Sequence, residues 1–190
     1  MEIAFIISSI LITLFALLAV YDGFYLHIFK YKLHNNSESR FEHLTHTIRA
    51  ILFPLILYFL FIKPDCNTSF FIGITIVVLD IIVLGIDAFS ETNSRKFMGG
   101  LPKWEYILHL FVNGFHFASI AVFLVIKIKL INNEFIIVQN FNGIENHSIF
   151  IFIVKNLIPG AILIAFIHII TLFASTKIYW NNVRNKITCC

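Results

Sequence analysis

The chain has 190 residues, of which 58% are hydrophobic, 16% aromatic and only 13% charged. A water-soluble domain carries about 25% charged residues, so this composition excludes an ordinary soluble protein and predicts an integral membrane protein. The net charge of +3 is modest, and no basic patch alternates with exposed aromatic residues, which argues against a nucleic-acid partner.

The first two predicted membrane spans lie in the amino-terminal third of the chain. Residues 3–29 form an apolar tract that exceeds the roughly 20 residues a helix needs to cross a bilayer. The acidic Glu2 and the length of this tract argue against a cleavable signal peptide. The next uninterrupted apolar run, residues 50–62, is too short to span alone. We therefore predict that the second span covers residues 41–62 and has a charged entrance.

Three further spans follow, separated by turn-forming residues. A turn at 64–69 ends the second span, and the others are predicted at 70–90, 103–126 and 157–178. Asn132-Asn133 and Asn142-Gly143 flank a short β-prone run, residues 135–138, which indicates a small hairpin or an interfacial segment. The start of the fifth span stays open, because residues 148–154 are also apolar and Pro159 could kink a longer helix. The fold class is all-α, with residues 1–178 as one transmembrane domain and 179–190 as a cytoplasmic tail.

The loop charges predict the orientation of the five helices, because cytoplasmic loops are enriched in Lys and Arg. With the amino terminus outside and the carboxyl terminus inside, ten of the 14 basic residues lie on the inner side. These ten are Lys30, Lys32, Arg40, Arg49, Arg95, Lys96, Lys103, Lys177, Arg184 and Lys186.

Ionisable residues from all five spans are predicted to share one layer of a four-helix-bundle-like core. At about 1.5 Å of rise per residue, one residue of each span lies about 9 to 15 Å inside the cytoplasmic boundary. These residues are Asp22, His46, Asp87, His109 and His168. Three carboxylates lie about one turn closer to the cytoplasm, namely Glu42, Glu91 and Glu105. Two residues, Asp80 and His116, lie deeper.

A metal ion would offset the free-energy cost of burying the charged residues of this layer. A charge in the hydrocarbon core costs at least about 2.5 kcal/mol, and Arg49 is the one fixed cation that the sequence places at this depth. His and carboxylate ligands suit iron, manganese or zinc, and iron is preferred here. The pattern resembles that of soluble dinuclear four-helix bundles, although Glu and His are four residues apart here instead of three. The predicted metal ligands are Asp22, Glu42, His46, Asp87, Glu91, Glu105, His109, His116 and His168.

The predicted activity is metal-dependent redox chemistry on a lipid or another hydrophobic small molecule, with Glu42, Glu105 and Arg49 as candidate catalytic residues. A protein electron donor or a second copy of the chain is a candidate partner. Four alternatives stay open: a zinc-dependent lipid hydrolase, a metal transporter, a b-type haem protein, and a polar network that only specifies helix packing. Haem is less favoured, because carboxylates one turn from the histidines would be poor neighbours for it. His27 is interpreted as interfacial, with the alternative that it turns toward Glu42, and His34 and His147 are interpreted as solvated.

Two motifs resemble paired signatures of small bacterial multi-pass membrane proteins. The resemblance covers the first four spans and implies a helical protein of the bacterial inner membrane, but it supplies no activity. The motifs are Glu42-His43-Leu44-Thr45-His46-Thr47-Ile48-Arg49-Ala50 and Gly99-Gly100-Leu101-Pro102-Lys103-Trp104-Glu105-Tyr106-Ile107-Leu108-His109.

Overall fold

The computed structural model describes residues 1–63 and 67–188, so part of the predicted turn at 64–69 and the last two residues of the predicted tail lie outside the described residues. Within these described residues, five helices are long and apolar enough to cross a membrane. This finding supports the prediction of a helical integral membrane protein. The helices are α1 (Glu2–Ala19) with a π-helical continuation (Val20–Lys30), α2 (Arg40–Ile56) with a π-helical end (Leu57–Ile62), α3 (Asn67–Ser94), α4 (Lys103–Lys127) and α5 (Glu145–Leu172).

The fifth helix differs from the predicted span at both ends. It begins at Glu145 instead of residue 157, and Pro159 lies inside it. The Glu2 carboxylate of α1 accepts the backbone N–H groups of Glu145 and Asn146 at 3.2 and 3.1 Å, and thereby caps the helix. The helix ends at Leu172, and a further helix, α6 (Ala174–Thr188), occupies most of the predicted tail.

A β-hairpin joins α4 to α5 and is the one departure from an all-α fold within the described residues. Strands β1 (Ile128–Ile131) and β2 (Glu134–Ile137) pair antiparallel. Asn132 and Asn133 connect them with φ of 52° and 64°, which are the left-handed conformations that a two-residue hairpin turn requires. The prediction of a small hairpin is therefore confirmed.

The interior of the helical bundle divides into an aromatic half and a polar half. Helix α1 packs along α4, α2 packs along α3, and α5 packs against both α1 and α2. Near the hairpin, the rings of Phe61, Phe123 and Phe150 lie 4.9 to 5.8 Å apart. Gly73 lets α3 approach the end of α2, since a Cβ there would lie 3.0 Å from the Leu60 backbone. Most of the buried charged residues lie toward the opposite end, and Lys127, buried beside the hairpin, is an exception.

The predicted orientation can be tested in the segment between α3 and α4. Lys96 is exposed there, whereas the preceding Ser94 is buried. In a background without the three native cysteines, we expect an impermeant maleimide to label Lys96→Cys only after the cells are opened. Lys129→Cys, exposed in the hairpin, is the matched control and should react in intact cells. The reverse pattern would invert the orientation.

Candidate metal centre

The π-helical continuation of α1 places Asp22 and His27 on one face. Residues five apart point in different directions on an α-helix, but the i to i+5 hydrogen bonding of a π-helix brings them together. His27 Nε2 lies 3.3 Å from Asp22 Oδ1. The His27 ring is completely buried, so its interpretation as an interfacial residue is wrong.

The first group of candidate ligands combines α1 with α4. Asp22, His27, Glu105 and His109 are all buried, and each offers a ligand atom within 4.8 Å of the others. Asp22 Oδ1 lies 3.2 Å from His109 Nε2, and Glu105 Oε1 lies 3.7 Å from His27 Nε2. Glu105 and His109 are four residues apart on α4 and therefore share a face. This group could hold a metal ion.

The second group combines α1 with α2 and shares His27 with the first group. His27, Glu42 and His46 offer ligand atoms within 4.8 Å of one another. His46 Nε2 lies 3.7 Å from Glu42 Oε1, and the rings of His27 and His46 meet edge to face with centroids 4.3 Å apart. Two adjacent sets of His and carboxylate ligands therefore meet at one imidazole.

Two carboxylates of α3 support these groups from outside. Asp87 Oδ2 lies 3.2 Å from His46 Nε2, and the Thr45 hydroxyl donates a hydrogen bond to the other oxygen of Asp87. Glu91 Oε1 lies 3.0 Å from His109 Nδ1. Glu91 contacts the ring nitrogen of His109 that faces away from Asp22 and can orient this ring, as the outer partners of metal-bound histidines commonly do. Asp87 instead contacts the same His46 nitrogen that faces Glu42.

Arg95 is the main departure from the predicted arrangement. The sequence places it in a cytoplasmic loop, but its side chain is completely buried. Its Nη1 donates to Glu42 Oε2 at 2.6 Å, and its Nη2 donates to Glu105 Oε1 at 2.6 Å. Burial disfavours its charge, but Glu42 and Glu105 outweigh burial and raise the pKa of Arg95 above its ordinary value. Arg49 is therefore not the one fixed cation near the layer.

Tyr31 lies beside this ion pair, just after the π-helical segment. The Arg95 guanidinium lies 5.7 Å from the centre of its ring. Burial and then the negative charge of Glu105 raise the pKa of Tyr31 to about 12. Its hydroxyl group therefore keeps its proton at neutral pH and can serve as a hydrogen-bond donor.

When its histidines are neutral, this region carries more negative than positive charge. Among the described residues, Arg95 is the one Lys or Arg side chain that forms an ion pair with the carboxylates around the three histidines of the two groups, His27, His46 and His109. With neutral histidines, five carboxylates and one guanidinium leave four negative charges, and two divalent cations would neutralise them. The five carboxylates are Asp22, Glu42, Asp87, Glu91 and Glu105.

Unsatisfied buried atoms at the centre also fit metal ligation. Glu42 Oε1 and His27 Nδ1 are buried and have no hydrogen-bond partner among the described residues. Leaving a buried polar atom unsatisfied costs about 1 to 3 kcal/mol, and more for a charged group. Carboxylate oxygen and imidazole nitrogen are the donors that iron, manganese and zinc accept in proteins, so these residues fit such an ion.

Four predicted ligands lie outside both groups: Asp87 and Glu91, which contact His46 and His109, and also His116 and His168. His116 Nε2 lies 3.2 Å from Asp80 Oδ2. The ring of His168 stacks on that of His43, with centroids 5.4 Å apart. His34 lies 5.7 Å beyond His43 and is buried, so its interpretation as a solvated loop residue is wrong. Burial lowers the pKa of His34 to about 4.

A cavity of about 200 Å³ adjoins the candidate centre. It reaches Asp22 of the first group and His46 of the second. Apart from these and a few other polar residues, its wall is apolar and rich in small residues. The small residues are Ala16, Ala19, Gly23, Ala50, Gly160 and Ala161.

Sequence reasoning missed His27 and Arg95, for two different reasons. In an α-helix with 3.6 residues per turn, Asp22 and His27 would point in different directions. No residue pattern in the sequence predicts the π-helical segment. Arg95 follows the end of α3 and is flanked by polar residues, which is typical of a solvated loop. Its short distance along the chain from Glu105 was the one available signal.

No family model matches this chain, and neither the curated proteins nor the solved structures include one similar to it. The resemblance of its two motifs to bacterial membrane proteins therefore stays a prediction. What the structure itself supports is a membrane-compatible helical protein with a buried His and carboxylate cluster that could hold a metal ion.

Proposed function

We propose that this protein is an integral membrane metalloprotein that oxidises a hydrophobic molecule taken from the bilayer. One observation carries the proposal: the cavity, to which all five long helices contribute, is mainly apolar, yet it reaches one member of each candidate metal group, Asp22 and His46. A substrate in this cavity would lie beside the metal ligands.

The cavity has a route to lipid. Val20, Asn156 and Gly160 line the cavity and are also exposed on the outside of the helices. They lie on the membrane-spanning parts of α1 and α5. A hydrophobic molecule dissolved in the bilayer could therefore enter sideways without crossing water. Membrane lipids are accordingly the proposed surroundings and source of the substrate.

Iron is the proposed metal. The first group would hold one ion through Asp22, Glu105 and His109, and His27 would bind both ions only as a deprotonated imidazolate, because a neutral imidazole offers one lone pair. The second group would hold another through Glu42 and His46. Iron with such ligands supplies oxidation by dioxygen. The overall reaction is R–H + O₂ + 2 electrons + 2 protons giving R–OH + H₂O, and a separate electron donor provides the electrons.

The protein's own residues would perform three tasks around that chemistry. The apolar cavity wall excludes water from the substrate. Glu91 orients His109 through a contact of 3.0 Å to Nδ1, and Asp87 lies 3.2 Å from His46 Nε2. Arg95 holds Glu42 and Glu105 in place and reduces the mutual repulsion of the carboxylates. These residues already occupy the positions that the three tasks require.

Metal analysis of the purified protein tests the proposal. We expect the protein, extracted in mild detergent without chelator, to retain about one to two equivalents of iron per chain and to show no Soret band. Uptake of oxygen with a hydrophobic substrate and a reductant should depend on that iron. The Glu105→Gln and Glu42→Gln variants, compared at matched folded yield, should each hold less iron.

Other metal contents would contradict the proposal in distinct ways. Stoichiometric zinc with no iron would indicate hydrolysis instead of oxidation. In that reaction a metal-bound water needs a general base such as Glu42 or Glu105. A stoichiometric Soret band would replace the His and carboxylate centre by haem. Folded protein that contains no metal and binds none on titration would show that the layer is a polar network centred on Arg95 that only specifies helix packing.

A further inference from the structure

A second polar set in the cavity wall is not used by the proposed metal chemistry. Asp80 of α3 binds two partners: its Oδ1 accepts from Arg49 Nε at 3.1 Å, and its Oδ2 lies 3.2 Å from His116 Nε2. Arg49 Nη2 donates to Asn113 Oδ1 at 2.8 Å. Arg49, Asp80 and His116 all line the cavity that adjoins the candidate metal centre.

Each of the outer members of this set keeps one hydrogen-bonding atom without a partner among the described residues. The bonds of Arg49 use Nε and Nη2, which leaves Nη1 as a donor. His116 Nδ1 is buried without a hydrogen-bond partner. When Nε2 carries the proton that faces Asp80, Nδ1 is an acceptor. The two side chains contact the same carboxylate and line the same cavity, so the donor and the acceptor belong to neighbouring residues of its wall. Because Nδ1 is buried, the ring of His116 has to turn toward the cavity for this atom to meet a ligand.

From this geometry we infer that the cavity binds an apolar molecule that carries a single hydroxyl group, and that Arg49 and His116 bind the hydroxyl. A hydroxyl group both accepts and donates a hydrogen bond, as this pair requires. The inference rests on the proposed function, and it defines the substrate class as a long-chain alcohol. Arg49 thus becomes a substrate-binding residue.

The charges of the cavity favour a neutral head group over a carboxylate. The positive charge of Arg49 is already offset by Asp80, whose Oδ1 accepts from Arg49 and whose Oδ2 lies 3.2 Å from His116 Nε2. A second carboxylate, Asp22, lies in the same wall. An anionic ligand would meet two carboxylates and only one guanidinium, in a site where ions are poorly solvated. A neutral hydroxyl group avoids this repulsion.

The size of the cavity limits what it can enclose. A cavity of 150 Å³ can hold a benzene molecule, so about 200 Å³ accommodates the head of the ligand and a few adjoining carbons. The remainder of an alkyl chain would leave through the opening beside Asn156 and Gly160, both exposed on α5. The head would therefore point inward and the tail toward lipid.

Photo-crosslinking in lipid nanodiscs tests the inference without turnover. The probes are dodecan-1-ol with a diazirine in its chain, the matched dodecane diazirine and the matched dodecanoate. We expect the alcohol to label cavity-lining peptides about tenfold more than the hydrocarbon, because a hydrogen bond to a charged group contributes roughly that factor. The carboxylate should label no more than the hydrocarbon.

Three variants separate the hydroxyl contact from the cavity itself. Arg49→Met should reduce alcohol labelling to the hydrocarbon level, and Arg40→Met, at an exposed position, should not. His116→Phe should also lower it; this variant keeps a ring beside Phe15, Phe53 and Phe117 and leaves the Arg49–Asp80 pair intact. Gly160→Phe, which fills the opening, should reduce labelling by both probes.

Equal labelling by alcohol and hydrocarbon in the wild-type protein would overturn the inference, as would an alcohol preference that persists in folded His116→Phe and Arg49→Met. Preferential labelling by dodecanoate would overturn the neutral head group. Labelling needs no bound iron, and metal content is measured on the same samples. A protein without metal that still prefers the alcohol would therefore refute the proposed oxidation and leave this binding site standing.

Discussion

Replacing Arg95 with methionine is expected to lower the free energy of unfolding by about 3 to 5 kcal/mol, the cost of removing one partner of a buried ion pair. The guanidinium group donates to Glu42 and to Glu105, each with a contact of 2.6 Å, and all three side chains are completely buried. Without it, two carboxylates in a membrane-spanning bundle lose their fixed cation. Thermal and denaturant unfolding in detergent, followed by circular dichroism, measures the change.

Matched variants identify the source of that loss. Arg40→Met removes an exposed arginine and should change the free energy of unfolding by no more than about 0.5 kcal/mol. Adding Glu42→Gln to Arg95→Met should restore part of the lost stability, because it removes one uncompensated charge. A folded Arg95→Met protein as stable as Arg40→Met would show that Arg95 is not the internal cation of this centre.

The largest effect on metal content is expected for His27→Ala. His27 belongs to both candidate groups, whereas His109 belongs only to the first and His46 only to the second. Each metal site loses a ligand when His27 is removed, so we expect bound iron to fall below about one tenth of the wild-type content. His109→Ala and His46→Ala should each lose about half when two ions bind. Metal analysis of the purified folded proteins gives the ranking.

Two other histidines provide the controls for this ranking. His34 is buried beside His43, and His147 packs against Phe5 and Phe141. Neither belongs to a candidate metal group, so His34→Ala and His147→Ala should keep the wild-type metal content even if they reduce stability. Full iron occupancy in folded His27→Ala would contradict the shared site, as would an equal loss in His34→Ala.

The sequence alone predicts the helical membrane architecture, because the length of an apolar run is a local property. A helix must satisfy its own backbone hydrogen bonds in lipid, so each long apolar run is enough to predict a span. The hairpin was equally local, since Asn132 and Asn133 suit the positive φ values of the turn. The start of α5 is not determined locally, because Glu2 caps it from the other end of the chain.

The sequence by itself determined which residue types lie at the depth of the centre: Glu42 with His46 and Glu105 with His109 follow from helical spacing and from the cost of buried charge. Only the tertiary structure decided which charges meet. A π-helical segment turned His27 toward Asp22, and the chain after α3 folded Arg95 inward between Glu42 and Glu105. The physical reason is that helical periodicity fixes a face within one helix, whereas ion pairing depends on distances between helices that no local pattern encodes.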